Sequence, residues 1–319
     1  MAIEYKVTHD PTKTRVVVLK GGWAPERPVS LMSAKGIEAA LQKAGYSVTS
    51  YDLTRDLQAF LSFLQKEKPA VVFNALHGPG GEDGQIQCVM DIVRQRYTHS
   101  GYIASAVGMH KDITKKVALQ AGIRMPEGFL ATWDEVRGKH PMEPPYVIKP
   151  EHEGSSLGVH IVHPGDDPVG AQVTSWDFEK EVLVEAYIPG KEIQAGIMNN
   201  QALPLIEVCP TVHAFYDFAT KYTDNMAQHK IPADLPENIY RQAQDWALRI
   251  HMVLGCKGIS RSDLRYDPTT NKLYFLEINT HPGCTPISLI PEAAAHVGIT
   301  FENLCSWLIE DALCRDVEK

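Results

Sequence analysis

The chain has 319 residues, of which 44% are hydrophobic and 22% charged, the make-up of a water-soluble globular protein long enough for two or three domains. Its formal net charge of −8, with no Lys/Arg run, excludes a nucleic-acid-binding role; it does not exclude a small anion held by a few well-placed lysines. No apolar run approaches the ~18–20 residues that span a bilayer, and residues 1–14 lack the apolar stretch of a signal peptide, so a cytoplasmic protein is expected.

In chain order, RVVVLK (15–20) and AVVFNA (70–75) read as buried strands that end in loops. Between them Leu31, Ala34, Ile37, Leu41 and Ala44 recur at helical spacing and stop at Gly45. A strand near Ser47–Asp52 and a helix near Asp56–Glu67 complete the rhythm of a parallel α/β sheet. A second segment starts near Gly101, with a helix predicted from Asp112 to Ala121. Strands follow at 146–150, 157–162 and 182–188, the pattern of an α+β module. A third carries strands near 191–198 and 202–208. Its amphipathic helix places Ile239, Ala243, Trp246, Ala247, Ile250 and Leu254 on one face, a hairpin covers 257–279, and a closing helix is marked by Phe301, Leu304, Leu308 and Ala312. The expected division is 1–100, 101–186 and 187–319. The six cysteines form no CxxC pair and read as small buried hydrophobes in a reducing compartment.

The hairpin carries the clearest chemistry. GISRSDLRY (258–266) and KLYFLEIN (272–279) flank the turn-rich Asp267-Pro268-Thr269-Thr270-Asn271. A symmetric register sets Asp263 opposite Glu277 and Arg261 opposite Asn279. Opposed carboxylates ~4.5–5.5 Å apart repel and need compensation, from a proton, an arginine or a hard divalent cation. Magnesium suits two carboxylates plus the neutral oxygen of Asn279; a surface hairpin with solvated acids is the plainer alternative.

Elsewhere, Lys149 ends the run YVIK and precedes Glu153-Gly154-Ser155-Ser156-Leu157-Gly158. Small residues there let backbone N–H groups approach phosphate, with hydroxyls beside them. The loop is not a GxxxxGK[ST] P-loop, and the same residues also suit a simple turn. Lys111 adds a possible second charge. In EAYIPGKE (185–192) the first strand is read as an edge whose backbone meets a nucleotide base, with Glu185 and Glu192 accepting from base or ribose; an exposed hairpin is the alternative.

Taken together, eight segments make the chain resemble the D-alanine–D-alanine ligase family of the ATP-grasp superfamily, from about Arg15 to Ala312. They are GGWAPERPVSL (21–31), ALHGPGGEDG (75–84), YTHSGYIASAVGMHKD (97–112), VIKPEHEGSSLGV (147–159), VLVEAYIPGKE (182–192), FYDFATKY (215–222), GISRSDL (258–264) and FLEINTHPGCTPISLIP (275–291). The resemblance implies a three-domain ATP-grasp fold with a Rossmann-like parallel N-terminal sheet. It also implies ATP-dependent joining of two D-alanines through an acyl phosphate for peptidoglycan synthesis, with two Mg2+ or Mn2+ ions and a homodimer. By the same resemblance Glu26, with Ser155 and Tyr222, binds the first alanine. Arg261 and the Gly283 N–H stabilise the oxyanion, Ser288 and the Leu289 N–H take the second carboxylate, and His77 orients the second substrate. Lys111, Lys149, Ser156 and Lys221 take phosphates; Glu185, Ala186, Ile188 and Glu192 take adenosine; Asp263, Glu277 and Asn279 take metal. A ligase of this superfamily with another second substrate is the alternative. Three positions depart from the family pattern: Ala186 where lysine is frequent, His281 where serine is common, and His152 where arginine is frequent.

Overall fold

The computed structural model describes residues 3–152, 158–173, 176–178, 180–210 and 227–315. The sequence expectations for Ser155, Ser156, Lys221 and Tyr222 lie outside these. The first sheet is parallel, in the order β2-β1-β3: β1 (Arg15–Gly21), β2 (Ser47–Leu53) and β3 (Val71–Asn74). Val16 to Leu19 of the central strand are all buried, as an unbroken apolar run in a parallel sheet covered on both faces should be.

Helix α1 (Arg27–Lys43) packs Ala34, Ile37 and Leu41 against this sheet. Leu31, expected in the core, is 38% exposed. The buried stripe runs instead through Ser30 and Ser33, one helical step to the side. The Ser30 hydroxyl accepts from the Gly21 N–H (2.9 Å) and donates to the Ala75 carbonyl (2.8 Å), tying the helix to the ends of β1 and β3. Helices α2 (Leu57–Glu67), α3 (Gln85–Ile92), α4 (Tyr102–Met109) and α5 (Lys111–Gln120) follow; α3 and α4 carried no periodic signal strong enough to predict.

The second sheet is antiparallel, in the order β4-β7-β5-β6, with β4 (Gly128–Thr132), β5 (Tyr146–Pro150), β6 (His160–Val162) and β7 (Glu181–Ala186). The short helices α6 (Trp133–Val136) and α7 (Val169–Gln172) cover it. β7 is thus an interior strand, not the free edge expected from sequence: its residues pair on both sides, and the Ala186 N–H donates to the Glu127 carbonyl at 2.8 Å.

The third sheet runs β11-β10-β8-β12-β13, with the short β9 (Gln201–Ala202) on β8. Its strands are β8 (Lys191–Met198), β10 (Ile206–Pro210), β11 (Ala227–Lys230), β12 (Ile259–Asp267) and β13 (Lys272–Asn279). Helix α8 (Glu237–Val253) lays the anticipated Ile239, Ala243, Trp246, Ala247 and Ile250 on it. The register of β12 on β13 sets Arg261 opposite Asn279 and Asp263 opposite Glu277; beyond Asp263 it shifts, leaving Leu276 as an extra residue in β13. Helices α9 (Leu289–His296) and α10 (Phe301–Cys314) return to the first sheet, so Leu304 and Leu308 share one core with Val16, Val18 and Ile37. No cysteine is in a disulfide; Cys256, Cys284 and Cys305 are buried, whereas Cys88 and Cys314 are exposed.

Candidate active site

The acidic hairpin is the starting point because alternation puts residues two apart on one face. Arg261 reaches along its own strand to Asp263, donating from Nε at 2.8 Å and from the guanidinium tip at 3.1 Å. Across the ladder, Glu277 lies 3.9 Å from the Lys111 ammonium, at the limit of an ion pair. Asn279 turns its side-chain oxygen to the His281 N–H (2.9 Å), which leaves its second lone pair for another partner. Two carboxylates and an amide oxygen within one register window form a hard oxygen donor set of the kind magnesium takes. The donors therefore fit a divalent cation, with Glu277 still 30% exposed to receive it.

Lys111 opens α5 and is buried, with its backbone N–H 3.4 Å from the Glu151 carbonyl at the end of β5. Lys149, on β5, is also buried; its ammonium lies 2.9 Å from Glu185 of β7. Lys115, one turn after Lys111, reaches the other oxygen of Glu185 at 2.9 Å and the Pro126 carbonyl at 2.7 Å. The Glu185 carboxylate is thus enclosed by two lysines rather than free for a base. Burial alone would lower the Lys149 pKa, but Glu185, helped by Glu277 and Asp263, holds it above its ordinary value. Burial alone would raise Glu185, and the two lysines pull it below the usual carboxylate range. Lys115 was not anticipated; the available signal was its i+4 spacing from Lys111 on one helix.

Ala186 closes β7, and Ile188, just beyond, accepts from the Arg265 guanidinium at 3.1 Å through its carbonyl. Glu192 on β8 lies 3.6 Å from Arg265.

On the first-sheet side, Glu26 is the N-cap residue of α1 and is buried. A Cβ at Gly78 would stand 2.3 Å from the Glu26 carboxylate, and Gly78 has φ +69°; only glycine lets this loop pass so close. His77, in the loop beyond β3, is buried, not a surface group. Its Nε2 meets the Ser33 hydroxyl and its Nδ1 meets Glu82, both at 3.0 Å.

Behind it lies a histidine cluster that sequence reading had noted only through His281. The His281 ring stacks on His99 at 4.1 Å and meets His77 edge-on at 6.1 Å. Burial holds both inner rings neutral, pushing His99 down to about 3 and His281 well below its ordinary range. His99 adopts φ +71°, sparse for a non-glycine residue, with its ring fixed by Thr98, Phe73 and His281.

His281 continues into the loop to α9. Gly283 sits beside Ser288: a Cβ there would lie 3.3 Å from the Ser288 hydroxyl. Ser288 is the N-cap residue of α9, but its Oγ bonds Thr285 (2.7 Å to the hydroxyl, 3.0 Å from the N–H) instead of capping. Leu289, buried, is the first helical residue. The hairpin, the Lys111/Lys149 pair and the Gly283–Leu289 loop thus come from separate parts of the chain.

Comparisons agree with this architecture. Residues 134–310 match the family described as D-ala D-ala ligase C-terminus. A D-alanine–D-alanine ligase of Gluconobacter oxydans is 46% identical over 302 residues, 94% of this chain and 100% of its own. One from Chelativorans sp. is 46% identical over 307 residues, 95% of this chain and 99% of its own. The crystal structure of a D-alanine–D-alanine ligase from Bacillus anthracis complexed with ATP superposes with a TM-score of 0.78 at 27% identity, covering 94% of this chain and 97% of that one. The chain belongs to the D-alanine–D-alanine ligase family.

Proposed function

We propose that the chain joins two D-alanine molecules at the expense of ATP, releasing ADP and phosphate and supplying the dipeptide of peptidoglycan. The observation that carries this reading is the Asp263–Glu277 pair, flanked by Arg261 and Asn279 and approached by Lys111. Such a group of oxygens and cations suits a nucleotide triphosphate, whose phosphates bring negative charge to the lysines and whose metal brings positive charge to the acids. Magnesium or manganese, as two ions on Asp263, Glu277 and Asn279, would neutralise the phosphates during transfer.

In this reading Glu26 holds the first D-alanine's ammonium by a charge-assisted bond, with Ser155 and Tyr222 beside it. The carboxylate attacks the terminal phosphorus of ATP, giving D-alanyl phosphate and ADP. Lys111, Lys149, Ser156 and Lys221 bind the phosphates. The second D-alanine, oriented by His77, is held by its carboxylate at Ser288 and the Leu289 N–H, where the N-terminus of α9 favours an anion. Its amine attacks the acyl carbon, and Arg261 with the Gly283 N–H stabilises the oxyanion until phosphate leaves. The adenosine lies along residues 185–192. Because β7 is interior and the Glu185 carboxylate is enclosed by lysines, the base is read beyond Ala186, around Ile188, with Glu192 toward the ribose.

The protein acts in the cytoplasm as a homodimer, with functional divisions near residues 100 and 186. Phosphate release should depend on D-alanine and be nearly absent with L-alanine or with D-lactate as the second substrate. An equal response to L-alanine overturns the reading in favour of another amino-acid ligase.

A further inference from the structure

A group of side chains outside this chemistry is built around Glu151, the residue after β5. Glu151 is only 3% exposed. Its Oε1 accepts from the Asp112 N–H at 3.0 Å and so holds the start of α5. Its Oε2 is buried without a hydrogen bond. That oxygen lies 2.8 Å from Nε2 of His152 and 3.4 Å from Nδ1 of His110, and the two ring nitrogens are 2.7 Å apart.

No arrangement of protons gives each of the three contacts its own aligned hydrogen bond. His152 Nε2 is within reach of both neighbours, so its one N–H must be shared between them. With neutral rings, a remaining contact sets lone pair against lone pair. With both rings protonated, two N–H groups face each other across 2.7 Å. A single cation at the centre satisfies all three atoms at once.

We propose that His110, Glu151 and His152 form a metal site separate from the acidic hairpin, suited to a divalent cation of the zinc class. Two imidazoles and one carboxylate are a borderline donor set that prefers zinc to magnesium, and a three-residue site leaves a fourth position for water or a substrate oxygen. Zinc bonds of ~2.0–2.1 Å in tetrahedral geometry give edges of ~3.3 Å, so two edges of the triangle open by about 0.5 Å. The rings can yield, since His110 and His152 are 41% and 36% exposed at the side chain. An ion here joins the start of α5 to the end of β5, the two elements that carry Lys111 and Lys149. Its occupancy thereby fixes the spacing of those lysines. This inference does not depend on what the hairpin binds.

The test is zinc retention by the full-length protein after chelator treatment, in excess Mg2+ to fill the hairpin, read by metal analysis, with Co2+ as an optical probe. Wild type and Asp263→Asn should each retain one zinc per chain. His110→Asn and His152→Asn, both at partly exposed positions, should bind it more weakly by more than the ~10–100-fold that losing a metal ligand's outer partner costs. They should also lose the visible Co2+ bands. Circular dichroism confirms that the variants fold. No zinc retained by wild type overturns the proposal. So does retention unchanged in His152→Asn, including the case in which His9→Asn at the His9/Glu310/Cys314 group abolishes it.

Discussion

Two neighbouring carboxylate clusters in this molecule are made of the same ingredients in opposite proportion. At Glu185, one acid that is 3% exposed is enclosed by Lys115 and Lys149, both at 2.9 Å. At the hairpin, Arg261 pairs with Asp263 and the more distant Lys111 approaches Glu277, which remains 30% exposed. The first cluster is closed and carries surplus positive charge. The second is closed at Asp263 and open at Glu277, which stays partly exposed. Burial with short pairing holds a charge such as that of Lys149 in place before any ligand arrives; partial exposure at Glu277 marks where a ligand enters.

The sharpest way to break the contrast is Glu185→Gln. It leaves two buried ammonium groups without their counter-ion, and stability should fall by about 3–5 kcal/mol, read as a lower midpoint in chemical denaturation. A change under ~1 kcal/mol would mean the cluster is not closed as described.

Asp263→Asn should do the reverse: the amide still offers the partly exposed Arg261 an acceptor, so the denaturation midpoint should fall less than in Glu185→Gln, while D-alanine-dependent phosphate release drops about 10²–10³-fold, the scale of one preorganised electrostatic group. The residual activity should need more Mg2+. Unaltered turnover would remove the hairpin from the chemistry.

Glu310 supplies the smallest test, a carboxylate met by neutral donors and a histidine rather than lysines. Burial alone would raise it, but the Thr8 hydroxyl and the His9 backbone N–H, with the His9 ring, hold it at about 2. Because its folded pKa lies below the ordinary 4.5, the stability it contributes is present above pH ~4.5 and is lost as pH falls toward 2. Glu310→Gln should flatten that part of the stability–pH curve relative to wild type; parallel curves would show that the contact contributes nothing.

What could be read beforehand follows from sequence distance. The pairing of Asp263 with Glu277 was legible because a hairpin brings near neighbours together through one turn. The face of α8 was legible for a similar reason, since a 17-residue helix repeats its apolar signal several times. The enclosure of Glu185 was not, because Lys115 lies 70 residues away and reaches it from a helix packed on β13 of the third sheet. The same distance hid the β7 neighbours, since β4 and β5 both lie upstream of it, in an order no local pattern encodes. His281 looked like an isolated departure until the fold stacked it on His99, 182 positions earlier.

The extra residue in β13 bears on all of this. Leu273 and Phe275 point into the apolar core, and so does Ile278, although strict alternation would send it the other way. Leu276 absorbs the difference by switching the parity of the strand. One strand thereby serves as oil on one half and as ligand on the other, with no break in its pairing partners. Without the bulge, strict alternation through Leu276 would press Glu277 toward the core side occupied by Phe275 and turn Ile278 to the face that carries Asp263.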